Sequence, residues 1–386
     1  MKKIVFVTRR MIMGGIEKSL IAMLELIPKN EYEITVLVMS NGGDLVHEVP
    51  SHVKIKCLYG NEKKTIEKIL NSTRKGKLLD AIKIGWYTYL AKKTDSVFKQ
   101  ESYHLKMLPL LEEEYDIAVA YHVPASLPVR FVMDNLKSKT KMAWIHSDVS
   151  HYKRQIERYK DYYPRYDKIF CVSKYARERF IEIFPELKKK TTVFYNIVDS
   201  NKINRLAIEG EGYKDEFKGT RVLTVGRLTD EKGQKIIPTV LKKLLLNGFD
   251  VRWYCLGEGD SQLEIEEKIK ELNLEKNMFL MGTKNNPYPY MKECDIYVQP
   301  SKHEGYCITL AEARALNKPI VTTNTIGAME QIVNGKNGLV VDHHEKYIYK
   351  QLINLITNKQ LSNRLINNLS KENKEHNYNI CKLIDV

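Results

Sequence analysis

The 386-residue chain has no apolar run approaching the roughly 20 residues needed to cross a bilayer. Its first stretch offers only Ile4 to Val7 before Arg9 and Arg10, too short for the hydrophobic region of a signal peptide. A buried first strand is expected there, and the protein is expected to stay in the cytosol. Cysteine is sparse and scattered: Cys57, Cys171, Cys255, Cys294, Cys307 and Cys381 form no C-x-x-C pair. That spacing argues against a disulfide framework and a zinc site. No D-x-D occurs, so a metal held by paired aspartates is not expected, and the absence of G-x-G-x-x-G removes the dinucleotide fingerprint. No solenoid repeat or long low-complexity segment interrupts the chain. Acidic residues are outnumbered, 48 against 62 Lys and Arg, leaving a formal charge of +14. That excess favours anionic partners: phosphates, acidic membrane surfaces or nucleic acid.

What is present is ordinary globular material. Hydrophobic residues make up 43% of the chain, enough for a real core. The length exceeds one usual domain, so two are expected. Short β-branched runs recur between helical stretches: 3–8, 33–39, 116–121, 141–145, 168–172 and 191–195, then 220–225, 251–256, 278–281, 295–298, 319–323 and 338–341. Continuous apolar runs of this length read as strands buried on both faces. Their alternation with helices implies right-handed βαβ units and parallel sheets. The fold class is therefore α/β, with two doubly wound Rossmann-like domains. A polar stretch of weak periodicity, 196–219, reads as the connection between them, which gives an N-terminal domain over 1–199 and a C-terminal one over 200–357. A helix is expected from His343 to Thr357, and 358–386 reads as a helical tail. Open α/β sheets bind ligands at the carboxyl ends of their strands, so a cleft between the domains is the natural site.

Four loops carry candidate chemistry, and each follows a strand. In the segment Ser301 to Ala313, Glu304 falls in a loop and Glu312 eight residues on, inside a helix. Eight helical residues rise about 12 Å. Between the carboxylates a helix N-terminus offers free N–H groups at Tyr306, Cys307 and Ile308, an anion site by construction. Such a pattern suits a ligand with hydroxyls at both ends and a diphosphate in the middle. In the segment Val225 to Gly233, Arg227 leaves a strand and Lys232 lies at a helix entry, placed to neutralise charge on a departing diphosphate. Gly14 and Gly15 open a helix after the first strand and let backbone approach a ligand. His146, directly after the strand ending at Ile145, is a candidate contact for a ligand, and His122 is a weaker one.

Together these pieces resemble glycosyltransferase family 4, of the GT-B fold, which transfers sugars with retention of anomeric configuration. The likeness runs through Gly14-Gly15, the His146 loop, Cys171-Val172-Ser173-Lys174, Tyr195-Asn196-Ile197-Val198-Asp199, Gly226-Arg227-Leu228 with Glu231-Lys232-Gly233, Gly257-Glu258-Gly259, Glu304 to Glu312, and Gly327-Ala328-Met329-Glu330. The resemblance implies that Arg227, Lys232, Glu304 and His146 are the catalytic group, with Arg227 and Lys232 on the donor diphosphate and Glu304 on its sugar. It implies donor binding by Gly14, Gly15, Gly282, Gly305, Tyr306, Cys307, Ile308 and Glu312, the last on the ribose hydroxyls. It further implies two domains facing a central cleft, a nucleotide-sugar co-substrate (UDP being the common nucleotide), no metal and no other cofactor. The tail is expected to return to the first domain. Two departures stand out: Cys307 occupies a position where the family often has glycine, and Ile326-Gly327 replaces a paired glycine.

The resemblance thus implies transfer of a hexose-type sugar to a hydroxyl of a glycan or lipid-linked acceptor, in cell-surface polysaccharide or glycolipid synthesis. Basic residues interleaved with aromatics from Lys63 to Lys106, including Trp86, Tyr87, Tyr89 and Phe98, suit docking on an anionic membrane surface. Further basic residues run from Lys137 through Lys153, Arg154, Arg158 and Lys174. A peripheral position on the inner face of the membrane follows as an expectation. Two other readings compete. A catalytically idle partner subunit would keep the fold without turnover. A nucleic-acid-binding protein would share the charge, but no zinc finger, aromatic RNA-binding signature or basic coiled coil is present, and no nucleic-acid partner is expected.

Overall fold

The structure, a computed structural model, describes residues 1–12, 14–39, 43–58, 65–74, 76–147, 149 and 153–375. Met13 of the Gly-Gly turn, Lys63 and Lys64 of the basic region, Asp148 of the His146 loop and Cys381 lie outside the described residues. The chain divides into two compact units between Ile197 and Val198.

In the first unit seven strands form one parallel sheet: β1 (Lys2–Thr8), β2 (Tyr32–Val38), β3 (Lys54–Cys57), β4 (Leu111–Ala120), β5 (Leu136–Ile145), β6 (Lys168–Cys171) and β7 (Thr191–Val193). Their order is β3-β2-β1-β4-β5-β6-β7, so the direction of winding reverses between β1 and β4. The helices are α1 (Gly15–Leu26), α2 (Thr65–Arg74), α3 (Leu78–Lys92), α4 (Val97–Met107), α5 (Leu127–Asp134), α6 (Lys153–Ile156) and α7 (Lys174–Ile183). The central strands are apolar on both faces because helices cover both; Ile4 to Val7 and Met142 to Ile145 are fully buried. An aromatic core fills one side, where Trp144 packs on Phe170 and Phe194 with ring centroids 4.6 and 5.0 Å apart.

The second unit holds six parallel strands, β8 (Thr220–Val225), β9 (Val251–Leu256), β10 (Met278–Leu280), β11 (Ile296–Gln299), β12 (Ile320–Thr323) and β13 (Leu339–Val341). The order is β10-β9-β8-β11-β12-β13, with the reversal between β8 and β11. Its helices are α8 (Ser200–Glu209), α9 (Ile237–Leu246), α10 (Gln262–Glu271), α11 (Tyr288–Glu293), α12 (Ile308–Ala315), α13 (Ile326–Met329), α14 (Glu345–Thr357) and α15 (Lys359–Glu375). Both units are thus doubly wound and Rossmann-like.

Three elements depart from the sequence reading. Strand β3 has no buried residue, because it lies at the sheet edge and carries no apolar run. The 196–219 stretch is not a bare connection: Asp199 caps α8 by accepting from Lys202 N at 2.9 Å, and Ile203 and Ala207, one turn apart, are buried. The tail forms α15, whose Leu365 and Leu369 bury in the second unit's own core. Of the 358–386 tail that the resemblance expects to return to the first domain, residues 376–386 lie outside the described residues.

Candidate active site

The strand ends nearest the second unit's reversal point carry the charged candidates. Strand β8 leads into Gly226 and Arg227; the chain after β11 runs on through Pro300 to Ser301 and Glu304. The two loops are laced together. After β8 the chain makes a single tight turn, Asp230–Lys232, closed by Gly233 at φ +70°. A Cβ at Gly233 would sit 2.0 Å from the Pro300 carbonyl oxygen, so only glycine lets the turn lie against the β11 exit. Lys302 N donates to Glu231 O at 2.8 Å, and Lys302 Nζ reaches both Asp230 oxygens at 2.8 Å.

This lacing brings Lys232 Nζ to 2.9 Å from Glu304 Oε1. The pair is largely desolvated, with side-chain exposures of 17% and 8%. Burial works against the charge on Lys232, but the adjacent Glu304 carboxylate outweighs it and holds the ammonium above its ordinary value. Glu304 is fixed from below by a relay: Ser301 Oγ donates to Glu304 Oε1 at 2.8 Å, Gln299 Nε2 to Ser301 Oγ at 2.9 Å, and Tyr297 Oη to Gln299 Oε1 at 2.7 Å. Neither Ser301 nor Gln299 stands out in the sequence as more than a strand end.

Beyond Glu304, the backbone of Gly305 to Cys307 leads into α12. Gly327 packs so closely that a Cβ there would lie 2.8 Å from Tyr306 N and Cα. Gln331 Nε2 donates to the carbonyls of Tyr306, Cys307 and Gly327, the last two at 3.2 Å. The Gly327 motif therefore serves as a clamp on the turn ahead of α12. Cys307, the N-cap, takes φ +67°, a left-handed conformation that favours glycine. The departure noted at this position is thus a side chain accommodated in a glycine's backbone geometry. Glu312 is buried on α12 and accepts from Tyr288 Oη at 2.9 Å. The helix starts only at Ile308, so about half of the Glu304–Glu312 spacing is helical, and the 12 Å rise overstates that part.

Arg227 is exposed, and no ion pair to it occurs among the described residues. Its backbone is set by glycines. Gly257, at φ +134°, would place a Cβ 2.1 Å from Gly226 O, and Gly257 N donates to Gly282 O at 2.9 Å. Gly282 thus stands behind the Arg227 loop rather than within the Lys232–Glu304 pair. Gln234, fully buried, donates to Arg227 O at 2.9 Å.

The remaining candidates share the corresponding edge of the first unit's sheet. His146, after β5, is 8% exposed, and neither ring nitrogen has a hydrogen-bond partner. Its ring lies edge-on to Tyr121, with centroids 4.4 Å apart. Burial, with His122 nearby, lowers its pKa to about 3; burial and Arg9 lower that of His122 to about 4. Gly14 caps α1 and Gly15 begins it. A Cβ at Gly14 would meet Glu17 Oε2 at 2.6 Å, so the Glu17 carboxyl folds back over the turn. Burial raises Glu17 to about 7. Glu17 is a residue the sequence reading passes over; its place three positions after Gly14, in the first turn of a buried helix, is the signal that marks it. Arg227, Lys232 and the 304–312 segment thus gather in one unit, and Gly14, Gly15 and His146 in the other. Among the described residues no group of three or more His, Cys, Asp or Glu side chains could hold a metal ion.

Two Rossmann-like units with this strand-end chemistry define the GT-B class. Residues 210–372 match the family model described as glycosyl transferases group 1. The chain is 34% identical over 181 residues to the N-acetylgalactosamine-N,N'-diacetylbacillosaminyl-diphospho-undecaprenol 4-alpha-N-acetylgalactosaminyltransferase of Campylobacter jejuni, covering 47% of this chain and 48% of the relative. It is 29% identical over 242 residues to an uncharacterized glycosyltransferase of Methanocaldococcus jannaschii, covering 57% of this chain and 58% of the relative. The chain thus spans about half the length of these curated relatives. Among solved structures, Anabaena HepE in complex with UDP-glucose superposes with a TM-score of 0.71 at 18% identity, covering 99% of this chain and 97% of that one. A point mutant of S. aureus TarM, in complex with Fondaparinux, alpha-GlcNAc-glycerol and UDP, gives 0.73 at 14% identity, covering 100% and 98%. At those identities the likeness shows the GT-B fold alone.

Proposed function

We propose that this chain moves a hexose-type sugar from a nucleotide-sugar, a UDP-sugar, to a hydroxyl of a glycan or lipid-linked acceptor, with retention at the anomeric carbon. The observation that carries the reading is the desolvated Lys232–Glu304 pair at one end of one sheet, ahead of the α12 N-terminus, with the exposed Arg227 on the same loop as Lys232. Two cations and a helix N-terminus suit a diphosphate, and a fixed carboxylate suits sugar hydroxyls. UDP in complexes of HepE and TarM supports the choice of nucleotide. The undecaprenyl-linked substrate in the name of the C. jejuni relative supports a lipid-linked acceptor, and with it a peripheral position on an anionic membrane. The capsular polysaccharide biosynthesis role in the name of an S. aureus relative, CapM, supports a place in cell-surface polysaccharide or glycolipid synthesis.

In the proposed step the bond from the anomeric carbon to the diphosphate oxygen breaks, and Arg227, Lys232 and the amides at Tyr306, Cys307 and Ile308 take up the charge on the leaving group. The acceptor hydroxyl bonds to the same face of the sugar, and its proton passes to the departing phosphate. Glu304 and Gly305 hold the sugar, Glu312 the ribose hydroxyls; Gly282 supports the Arg227 loop. The resemblance adds Gly14, Gly15 and His146, of the first unit, to these residues. No protein nucleophile is assigned. The test is the rate of transfer and of donor hydrolysis for purified Arg227→Ala and Lys232→Ala. A hundredfold loss is expected in each, and rates equal to those of the unaltered protein would refute the assignment.

A further inference from the structure

Between β3 and β4 the first unit carries a three-helix insertion whose outer face is apolar and exposed. Helix α4 is tied down: Arg130 on α5 donates to Phe98 O at 3.2 Å and Ser102 Oγ at 2.9 Å, and Tyr159 Oη donates to Glu101 at 2.6 Å. Helix α3 lies on α4, with Tyr87 and Tyr103 stacked at 6.0 Å and Thr88 Oγ1 3.5 Å from Met107 Sδ. Its inner face is thereby spent on packing, and Ala81 and Ala91 are buried. The outer face presents Leu79, Ile82, Trp86 and Tyr89, spaced three and four apart, with exposures of 83, 69, 58 and 49%. Leu78 precedes them in the same helix, and Ile66 and Leu70 of α2 are also exposed. Isolated exposed apolar side chains need no explanation, but a continuous stripe along a helix does.

Charge decides what covers it. Residues 65–107 carry nine Lys or Arg against four Asp or Glu. Arg74, Lys77, Lys83, Lys92 and Lys93 are exposed, and the Lys93 ammonium lies 4.9 Å from the Tyr89 ring centroid. The acids are Glu67, Asp80, Asp95 and Glu101, the last turned inward onto Tyr159. A second copy of the chain would bring like charges together, at +14 each. An anionic bilayer instead offers negative headgroups to the lysines and acyl chains to the stripe, with Trp and Tyr at the level between. No helix among the described residues is long and apolar enough to cross a membrane.

We propose that the outer face of α3, Leu79, Ile82, Trp86 and Tyr89 flanked by Lys83, Lys92 and Lys93, inserts into the headgroup region of anionic phospholipid membranes. The proposal rests on the lipid-linked acceptor reading and names the surface that serves it.

Trp86 supplies the probe, because the other two tryptophans, Trp144 and Trp253, are buried. Full-length protein is mixed with vesicles of phosphatidylglycerol and phosphatidylcholine, or of phosphatidylcholine alone, with brominated acyl chains in parallel. Expected are co-sedimentation with the anionic vesicles, a blue shift of the emission, and quenching by bromine that disappears in Trp86→Phe. Leu79→Ser with Ile82→Ser lowers anionic-vesicle partition tenfold or more, and Lys83→Glu with Lys93→Glu lowers it as well. Both double variants should melt like the unaltered protein, since these side chains are exposed. Calorimetric UDP affinity of the same samples separates this proposal from the donor-site reading, because it should not change. Equal partition by the Leu79/Ile82 variant, unshifted Trp86 emission, or a dimer in light scattering that this variant abolishes would overturn the proposal.

Discussion

Lys232 Nζ lies 2.9 Å from Glu304 Oε1 across 72 positions of sequence, and both side chains are mostly withdrawn from water. Breaking a desolvated pair strands its partner, whereas replacing both members leaves nothing uncompensated. Lys232→Ala should therefore destabilise the second unit by about 3 kcal/mol. Lys232→Met with Glu304→Gln should recover most of that stability while restoring no transfer activity. Urea unfolding of the single and double variants checks the first part, and donor turnover the second.

Gly233 holds the Lys232 turn against β11 at φ +70°, with no room for a Cβ beside the Pro300 carbonyl. Gly233→Ala should move Lys232 away from Glu304 and weaken donor binding at least tenfold. Circular dichroism should show the sheet intact, since the strain is confined to one turn. A donor affinity unchanged in this variant would show that the turn does not set the position of Lys232.

Cys307 adopts φ +67° at the start of α12, where an L side chain costs about 1–2 kcal/mol. Cys307→Gly and Cys307→Ala both remove the thiol, but only glycine relieves the backbone. The glycine variant should be the more stable by about 1 kcal/mol in denaturant unfolding.

The first unit should show two opposed pH dependences. Glu17 titrates near 7 when folded, against an ordinary 4.5, because burial disfavours its charge. As pH rises through that window the unfolded chain ionises first, so stability falls, by up to about 3 kcal/mol. Glu17→Gln should match the unaltered protein near pH 4 and exceed it at pH 8. His146 and His122 act the other way. Burial lowers them to about 3 and about 4, below the ordinary 6.5, so the unfolded chain takes up protons first as pH falls, and stability drops below pH 6.5. His146→Gln should flatten that acid limb. Thermal unfolding at pH 4, 6 and 8 reads both effects.

How much of this was legible in the sequence follows from where the chain is buried. Strands such as β1, β8 and β9 announce themselves because both faces are covered, which forces unbroken apolar runs. Strand β3 is exposed at the edge, and the first halves of β4 and β5 carry Glu112, Glu114, Lys137 and Lys139, so no such run marks them. Helix α8 hides because its buried stripe is narrow and its other faces are polar. The charged site residues are legible as types at strand ends, but their partners are not. Nothing local links Lys232 to Glu304, or Gln331 to the Tyr306 carbonyl. Those contacts arise from the order of strands in the sheet, which places loops distant in sequence at one edge. Glu17 illustrates the converse: an acid in a helix's first turn reads as a dipole partner until its burial is known.

The central claim, that the cations at the end of β8 and the α12 amides together grip a diphosphate, is tested most directly by calorimetric titration of the unaltered protein and Lys232→Ala with UDP, UMP and uridine. The account predicts that UDP binds at least tenfold tighter than UMP, that uridine binds weakest, and that Lys232→Ala erases most of the difference between UDP and UMP. Equal affinities for UDP and UMP in the unaltered protein, or the same ranking after loss of Lys232, would contradict it.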